Sequence, residues 1–370
     1  MKVIHLLPSL QSGGVEQVVL ELSREFAKRK IENIIIANGG RMAKQLTSEG
    51  SRHISLPIGK KSLATLPYIL QLRKIFLEEK PDIIHLHSRM PAWIAYLAWK
   101  MIPSDKRPGL VTTVHGFYSA NAYSAIMTKG QRVIAVSECI KDYILRKYPH
   151  TPEENIRIIP NTIDSSTHYS SFTPLKEWKR GWELEHPELS GKFTLCLPGR
   201  ITRIKGQLDM IPILQYLLNR GIPAHAVIVG EAKKGKETYF REILRAFEQA
   251  GLENHVSWVG HRSDLREIQS VCDVTLSLTL APESFGKTTL EALALGKPVA
   301  GYAHGGVEEQ LKIFLPEGMI PPGDTGAMAE LLEQWYRTPP DLPQTIPAPF
   351  RMENMIESHL ASYRELINPS

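Results

Sequence analysis

Two carboxylates and two cations carry most of the chemistry this sequence offers. In Ala281–Gly305 (APESFGKTTLEALALGKPVAGYAHG) Glu283 stands in a loop after a short strand, and Ser284-Phe285-Gly286 turns the chain into a helix. Glu291 follows eight residues after Glu283, near the second helical turn. The helix N-terminus, with Lys287 and Thr288, lies between the two acids, and its free N–H groups and dipole suit a phosphate. The acids by themselves could also work as a general acid and base.

The cations lie upstream, in Pro198-Gly199-Arg200-Ile201-Thr202-Arg203-Ile204-Lys205-Gly206, directly after a strand. Glycine allows a sharp turn, so Arg200 and Lys205 can aim at one point beside a helix start. A planar guanidinium and a point ammonium together hold a diphosphate and neutralise it as it departs. Gly13-Gly14 occupies the matching place after the first strand, where paired glycines permit close backbone approach to an anion. The segment Pro8–Gly14 lacks the G-x-G-x-x-G spacing of a dinucleotide site, which argues against a dehydrogenase.

His115-Gly116 ends another strand. An imidazole there can hydrogen-bond a sugar hydroxyl or a phosphate, or relay a proton. His85 and His87 alternate along one strand beside Asp82, with no third ligand spaced for a metal, and are read as structural. No Asp-x-Asp metal pair is read. Phe117, Tyr118, Asn121 and Tyr123 suit either a sugar-binding rim or a packed loop. Trp93, Tyr96 and Trp99 suit either a membrane interface or a helix buried on one side. Asp264 is read as a helix cap.

These residues need strands and helices to position them. Strand-like runs at 3–7, 33–37, 53–56, 82–87, 111–114, 132–136 and 157–159 are separated by helix-length segments, including 15–28, 63–76 and 92–101. That alternation predicts right-handed crossovers and a mostly parallel sheet. Residues 162–192 lose periodicity and read as a linker. The alternation then restarts with strands at 193–197, 226–229, 256–259, 274–278 and 299–302, and helices near 208–218, 237–250, 265–271 and 288–295. His304-Gly305-Gly306 repeats the strand-to-helix turn, and 352–367 reads as a last amphipathic helix.

At 370 residues the chain suits two domains, and 42% apolar with 22% charged residues fits a globular protein. No apolar run reaches the ~18 residues that span a bilayer. The start, MKVIHLLPSL, has no small-residue cleavage site and reads as a strand rather than a signal peptide. Cys139, Cys196 and Cys272 are odd in number and widely spaced, so reduced thiols and a cytoplasmic location are expected. Residues 1–165 carry 23 Lys and Arg against 14 Asp and Glu (+9), and residues 166–370 carry 21 against 25 (−4). The basic half favours an anionic membrane surface or a phosphorylated acceptor, the bland alternative being a solvated basic surface.

Gly-Gly after strand one, G-R-x-x-x-x-K-G at Gly199–Gly206 and E-S-F-G-x-x-x-x-E at Glu283–Glu291 together resemble the GT-B glycosyltransferases of retaining family 4. A-L-G-K-P-V at Ala294–Val299 and H-G-G-x-E at His304–Glu308 extend the likeness across the chain. The resemblance implies an α/β, GT-B architecture of two Rossmann-like domains facing each other across a cleft. The first would span 1–165, with helix 350–370 packing back on it, and 190–349 would bind the donor.

It also implies a nucleotide diphosphate sugar, a UDP-sugar being favoured, and no cofactor. Arg200 and Lys205 would take the diphosphate, and Glu291 the ribose. Glu283 and the backbone of Phe285, Gly286, Lys287 and Thr288 would hold sugar and phosphate, with Gly13, Gly14 and His115 contributed by the facing domain. His115, Glu283, Arg200 and Lys205 are the catalytic candidates. Lys287 departs from the usual aliphatic residue, as does Thr162 from the usual glycine in Pro160–Asp164. The implied activity is metal-independent hexosyl transfer with retention to a glycan or lipid-linked acceptor, in lipopolysaccharide core or surface polysaccharide synthesis. The enzyme would be cytoplasmic, in peripheral contact with the inner membrane face through the first domain, and would bind no nucleic acid. Rival readings are a two-domain ligand-binding protein without chemistry and a sugar phosphorylase of the same architecture, for which no cofactor-lysine motif is visible.

Overall fold

The computed structural model of the chain describes residues 1–368 apart from Ser12, Lys233, Lys234 and Lys236. Two units form, Met1–Asn161 with Glu353–Ser370, and Thr162–Met352.

The first unit holds strands β1 (Lys2–Ser9), β2 (Glu32–Asn38), β3 (Arg52–Ser55), β4 (Ile83–Leu86), β5 (Gly109–Val114), β6 (Arg132–Ala135) and β7 (Ile156–Ile158). They pair in parallel in the order β3-β2-β1-β4-β5-β6-β7. Buried runs such as Val3–Leu7 and Ile34–Ala37 explain this choice, since helices cover both faces of a parallel sheet. Helix Gly14–Lys28 buries Val18, Val19, Leu22 and Phe26 along one stripe. The pattern read as one helix over 63–76 is two pieces, a 3-10 turn at Leu63–Thr65 and a helix at Pro67–Glu79. Pro67 lacks an N–H and fits only a helix start.

The second unit holds β8 (Phe193–Pro198), β9 (Ala224–Val229), β10 (Val256–Gly260), β11 (Val274–Ser277), β12 (Val299–Tyr302) and β13 (Met319–Ile320). They are parallel, in the order β10-β9-β8-β11-β12-β13. The expected linker 162–192 contains helix Lys176–Glu185, which belongs to this unit. Trp178 and Trp182 stack on that helix, and Trp178 Nε1 donates to Asp264 Oδ2 at 2.8 Å. Asp264 stands at the N-cap position of helix Leu265–Val271, as read, but its side chain makes no cap bond there; it receives Trp178 and Arg262, whose guanidinium holds its carboxyl down to about 2. Helix Thr325–Arg337 was not read from the sequence, although Asp324 caps it by accepting from Ala327 N at 2.9 Å.

Helix Met352–Ile367 returns to the first unit from Glu353 on. Tyr363 packs edge-on to Phe26, and Glu365 accepts from Arg132 and Arg157, each at 3.0 Å. In parallel sheets ligands gather where strand order reverses, outside the C-terminal ends of the strands. That point falls between β1 and β4 in the first unit, and between β8 and β11 in the second.

Candidate functional site

At the switch point of the second unit, the segments after β8 and β11 meet. The chain leaves β8 through Gly199 (φ 150°), makes one 3-10 turn at Arg203–Lys205 and turns again at Gly206 (φ 68°). A Cβ at position 206 would lie 2.0 Å from the Leu278 carbonyl oxygen, so only glycine lets this turn press on the end of β11. Leu280 N donates to Ile204 O at 2.7 Å and closes the contact. The Lys205 stem crosses Gly199, whose added Cβ would stand 3.4 Å from Lys205 Cδ. From β12, Tyr302 donates its hydroxyl to Asp209 Oδ2 at 2.5 Å and anchors the following turn; burial raises the Asp209 carboxyl.

Lys205 Nζ is thereby delivered to Glu283 Oε1 as an ion pair. Thr279 Oγ1 donates to the same oxygen at 2.7 Å and stands 3.4 Å from Lys205 Nζ. Both charged side chains keep about a fifth of their surface exposed, 22% for Lys205 and 21% for Glu283, so the pair is open to a ligand. Its backbone is pinned as well. Gly306 N donates to Glu283 O at 2.8 Å, Gln310 Nε2 to Phe285 O at 2.6 Å, and His304 Nε2 bonds Thr279 O at 2.6 Å. Phe285 puts its side chain into the core, 5% exposed, so only its backbone can serve a ligand.

Gly286 (φ 83°) turns the chain into helix Lys287–Ala294, which has no side-chain cap. The N–H groups of Gly286 and Thr288 have no acceptor among the described residues. Glu291 is half-buried on this helix. Lys287, also half-buried, is close enough to His168 to act on it: burial, then the charges of Arg266 and Lys287, push that imidazole down to about 4. Arg200 is exposed, and no hydrogen bond or ion pair ties its side chain to another described residue. The fold thus gathers Lys205, Glu283 and the helix N-terminus, and does not bond Arg200 to them. Thr279 was missed because nothing local marks it. Gly230 was missed too, although V-I-V-G ends β9; its added Cβ would lie 2.0 Å from Gly199 O.

In the first unit, Gly13 is extended (φ 168°) before helix Gly14–Lys28, and a Cβ at position 14 would meet open space. His115 follows β5 and is half-buried. Its Nε2 lies 3.2 Å from His87 Nδ1, and His87 Nε2 lies 2.9 Å from His5 Nδ1. His85 has both nitrogens engaged, Nδ1 with Tyr363 Oη at 2.7 Å and Nε2 with Thr113 Oγ1 at 2.6 Å. Burial holds His5 and His115 down to about 3 and His359 to about 4, with His85 and His87 also well below the usual range. No third ligand is spaced for His85 and His87 along the chain; the fold supplies His5, with ring nitrogens of all three within 4.8 Å of one another. A cation among them would require His85 to release Tyr363 or Thr113. Of the three aromatics weighed for a membrane, Trp99 is 8% exposed and donates to Pro108 O at 2.8 Å, and Trp93 donates to Tyr123 O at 2.8 Å.

Residues 12–167 match the family model described as Glycosyltransferase Family 4, and residues 182–348 the one described as Glycosyl transferases group 1. The chain belongs to glycosyltransferase family 4. N-acetyl-alpha-D-glucosaminyl L-malate synthase of Bacillus anthracis is 25% identical over 342 residues, 89% of this chain and 83% of its own. The two parallel-sheet units have the GT-B fold. A glycosyltransferase from Rickettsia africae ESF-5 superposes with a TM-score of 0.85 at 24% identity, over 100% of this chain and 99% of its own. Anabaena HepE, solved with UDP-glucose, gives 0.75 at 19% identity, over 99% and 95%. Among the described residues of this family 4 glycosyltransferase, no helix is long and apolar enough to cross a membrane.

Proposed function

We propose that this family 4 glycosyltransferase moves a hexosyl group from a nucleotide diphosphate sugar, a UDP-sugar being favoured, with retention of configuration and without a metal or cofactor. One observation carries the reading: Lys205, Glu283 and Thr279 meet beside the open amides of Gly286 and Thr288. An ammonium and a helix N-terminus together stabilise a departing diphosphate in place of a metal ion. Likeness to a protein solved with UDP-glucose supports the donor class.

In the step itself, the bond from the anomeric carbon to the diphosphate oxygen breaks while the acceptor hydroxyl forms a new bond on the same face. The hydroxyl proton passes to the departing phosphate oxygen. Lys205 and exposed Arg200 offset the charge that develops there, Glu283 orients the sugar and Glu291 the ribose. On the first unit, Gly13, Gly14 and His115 are proposed as sugar- or phosphate-binding residues, with His115 as a hydrogen-bond donor, since burial leaves it neutral near pH 7.

The acceptor we propose is a glycan or lipid-linked chain of lipopolysaccharide core or surface polysaccharide, met at an anionic membrane face. Leu63 (83% exposed), Leu66 (48%) and Leu70 (62%) form an uncovered apolar edge beside exposed Lys60, Lys61 and Lys74. Leucine flanked by lysine is the composition of an interfacial surface. Incubation with UDP-, GDP- and ADP-sugars in EDTA, with the product anomer read by NMR, tests the reaction. Release of UDP with a retained anomer is expected; an inverted anomer or dependence on added metal would exclude it.

A further inference from the structure

Three imidazoles of the first unit form one hydrogen-bonded row, from His5 on β1 through His87 after β4 to His115 after β5. His5 and His87 are buried, at 0% and 1% exposure. In a row of neutral imidazoles each ring carries a single N–H, so every link points the same way. Two arrangements exist. In the first, His5 Nδ1 donates to His87 Nε2, His87 Nδ1 donates to His115 Nε2, and the last proton sits on His115 Nδ1. In the second every link is reversed, and the spare proton sits on His5 Nε2.

The far end of the row decides between them. Among the described residues, His5 Nε2 is buried without a hydrogen-bond partner. The reversed arrangement would bury a bare N–H there, whereas the first leaves only a lone pair. Unmade buried N–H groups are the rarer defect. Neighbouring rings do not enter the row: His85 is held by Tyr363 and Thr113, and His359 Nδ1 donates to Met355 O at 2.8 Å. His115 Nδ1 has no partner among the described residues.

We propose that His5 and His87 are positioning residues that fix His115 as an Nδ1–H donor at the end of β5, aimed at an acceptor oxygen of a sugar hydroxyl or a phosphate. Neutral imidazole in water favours the proton on Nε2, so the row imposes the less common tautomer. The use of that N–H rests on the donor site proposed above; the tautomer itself does not. A group held in this form binds and orients, and does not shuttle protons.

Long-range ¹H–¹⁵N spectra of histidine-labelled protein without ligand read the tautomer directly. Wild type is expected to show His115 protonated on Nδ1. His5→Asn places an amide N–H near the lost Nδ1 and is expected to keep that pattern, while His87→Phe removes the N–H that His115 Nε2 accepts, moves His115 toward the Nε2–H form and lowers kcat/KM about tenfold. His115 protonated on Nε2 in wild type would overturn the inference, as would the same His115 pattern in His5→Asn and His87→Phe. The wild-type spectrum needs neither a folded variant nor a donor, so it decides the tautomer even if His87→Phe unfolds or no sugar is transferred.

Discussion

Thr279 donates its hydroxyl to Glu283 Oε1 at 2.7 Å, and the same oxygen receives the Lys205 ammonium. The carboxylate is therefore aimed by one neutral and one charged partner. A hydrogen bond to a charged group contributes roughly 1.5–3 kcal/mol, or about ten- to a hundredfold in rate where it acts in the transition state. Thr279→Val should lower kcat by that factor with an unchanged circular dichroism spectrum. Wild-type turnover would show that the aim of Glu283 does not matter.

Lys205 meets a counter-charge before any diphosphate arrives. Glu283→Gln removes it, so affinity for UDP should rise several-fold in calorimetry while kcat falls on the order of a hundredfold. Lys205→Ala should lose both binding and turnover. If the two variants behaved alike, the ion pair would not modulate the site.

Gly230 (φ 152°) lets β9 end against Gly199. In Gly230→Ala the added Cβ meets a backbone oxygen at 2.0 Å in a conformation that L-residues avoid. A cost of about 1–3 kcal/mol and a lower thermal midpoint are expected, with activity falling further than stability because the clash displaces the loop that carries Lys205.

Four buried imidazoles and the half-buried His115 make the first unit sensitive to acid. Their folded pKa values lie below the unfolded value near 6.5, so the unfolded chain binds more protons as pH falls. The stability they secure is complete above about pH 6.5 and is lost from there down toward pH 3–4, each ring contributing about 1.4 kcal/mol per pH unit. Melts from pH 7.5 to 5 should show a steep fall, and His359→Phe should flatten it.

The leucine edge at Leu63, Leu66 and Leu70 can be tested apart from catalysis. Leu63→Asp with Leu70→Asp should abolish sedimentation with vesicles containing anionic lipid while leaving donor hydrolysis intact. Equal sedimentation of the double variant would move the membrane contact elsewhere.

Much of this was visible in the chain because parallel strands are buried on both faces. Val3–Leu7 and Val299–Tyr302 read as uninterrupted apolar runs, and the glycines at 199, 206 and 286 mark turns that side chains cannot make. The Lys205 loop and the Glu283 loop could be placed at strand ends on that basis. What stayed hidden depends on distance along the chain. His5 looked like one polar residue within a strand, and nothing local joins it to His87 or His115. Thr279 acquires its role from the Lys205 turn, 74 residues earlier. The helix at Lys176–Glu185 was read as a linker because its order comes from Asp264 and Arg262, which its own residues do not announce.

The bond between His85 Nδ1 and Tyr363 Oη spans 278 residues. Between the two lies all of Thr162–Met352, a complete sheet with its own helices. On a ribosome the nested unit has all its strands available before helix Met352–Ile367 emerges to cover His85 and Phe26. Until then His85 and Phe26 lack the cover that Tyr363 gives them. Closing so long a loop comes late in assembly. The first unit is thus completed only when the finished chain folds back on its beginning.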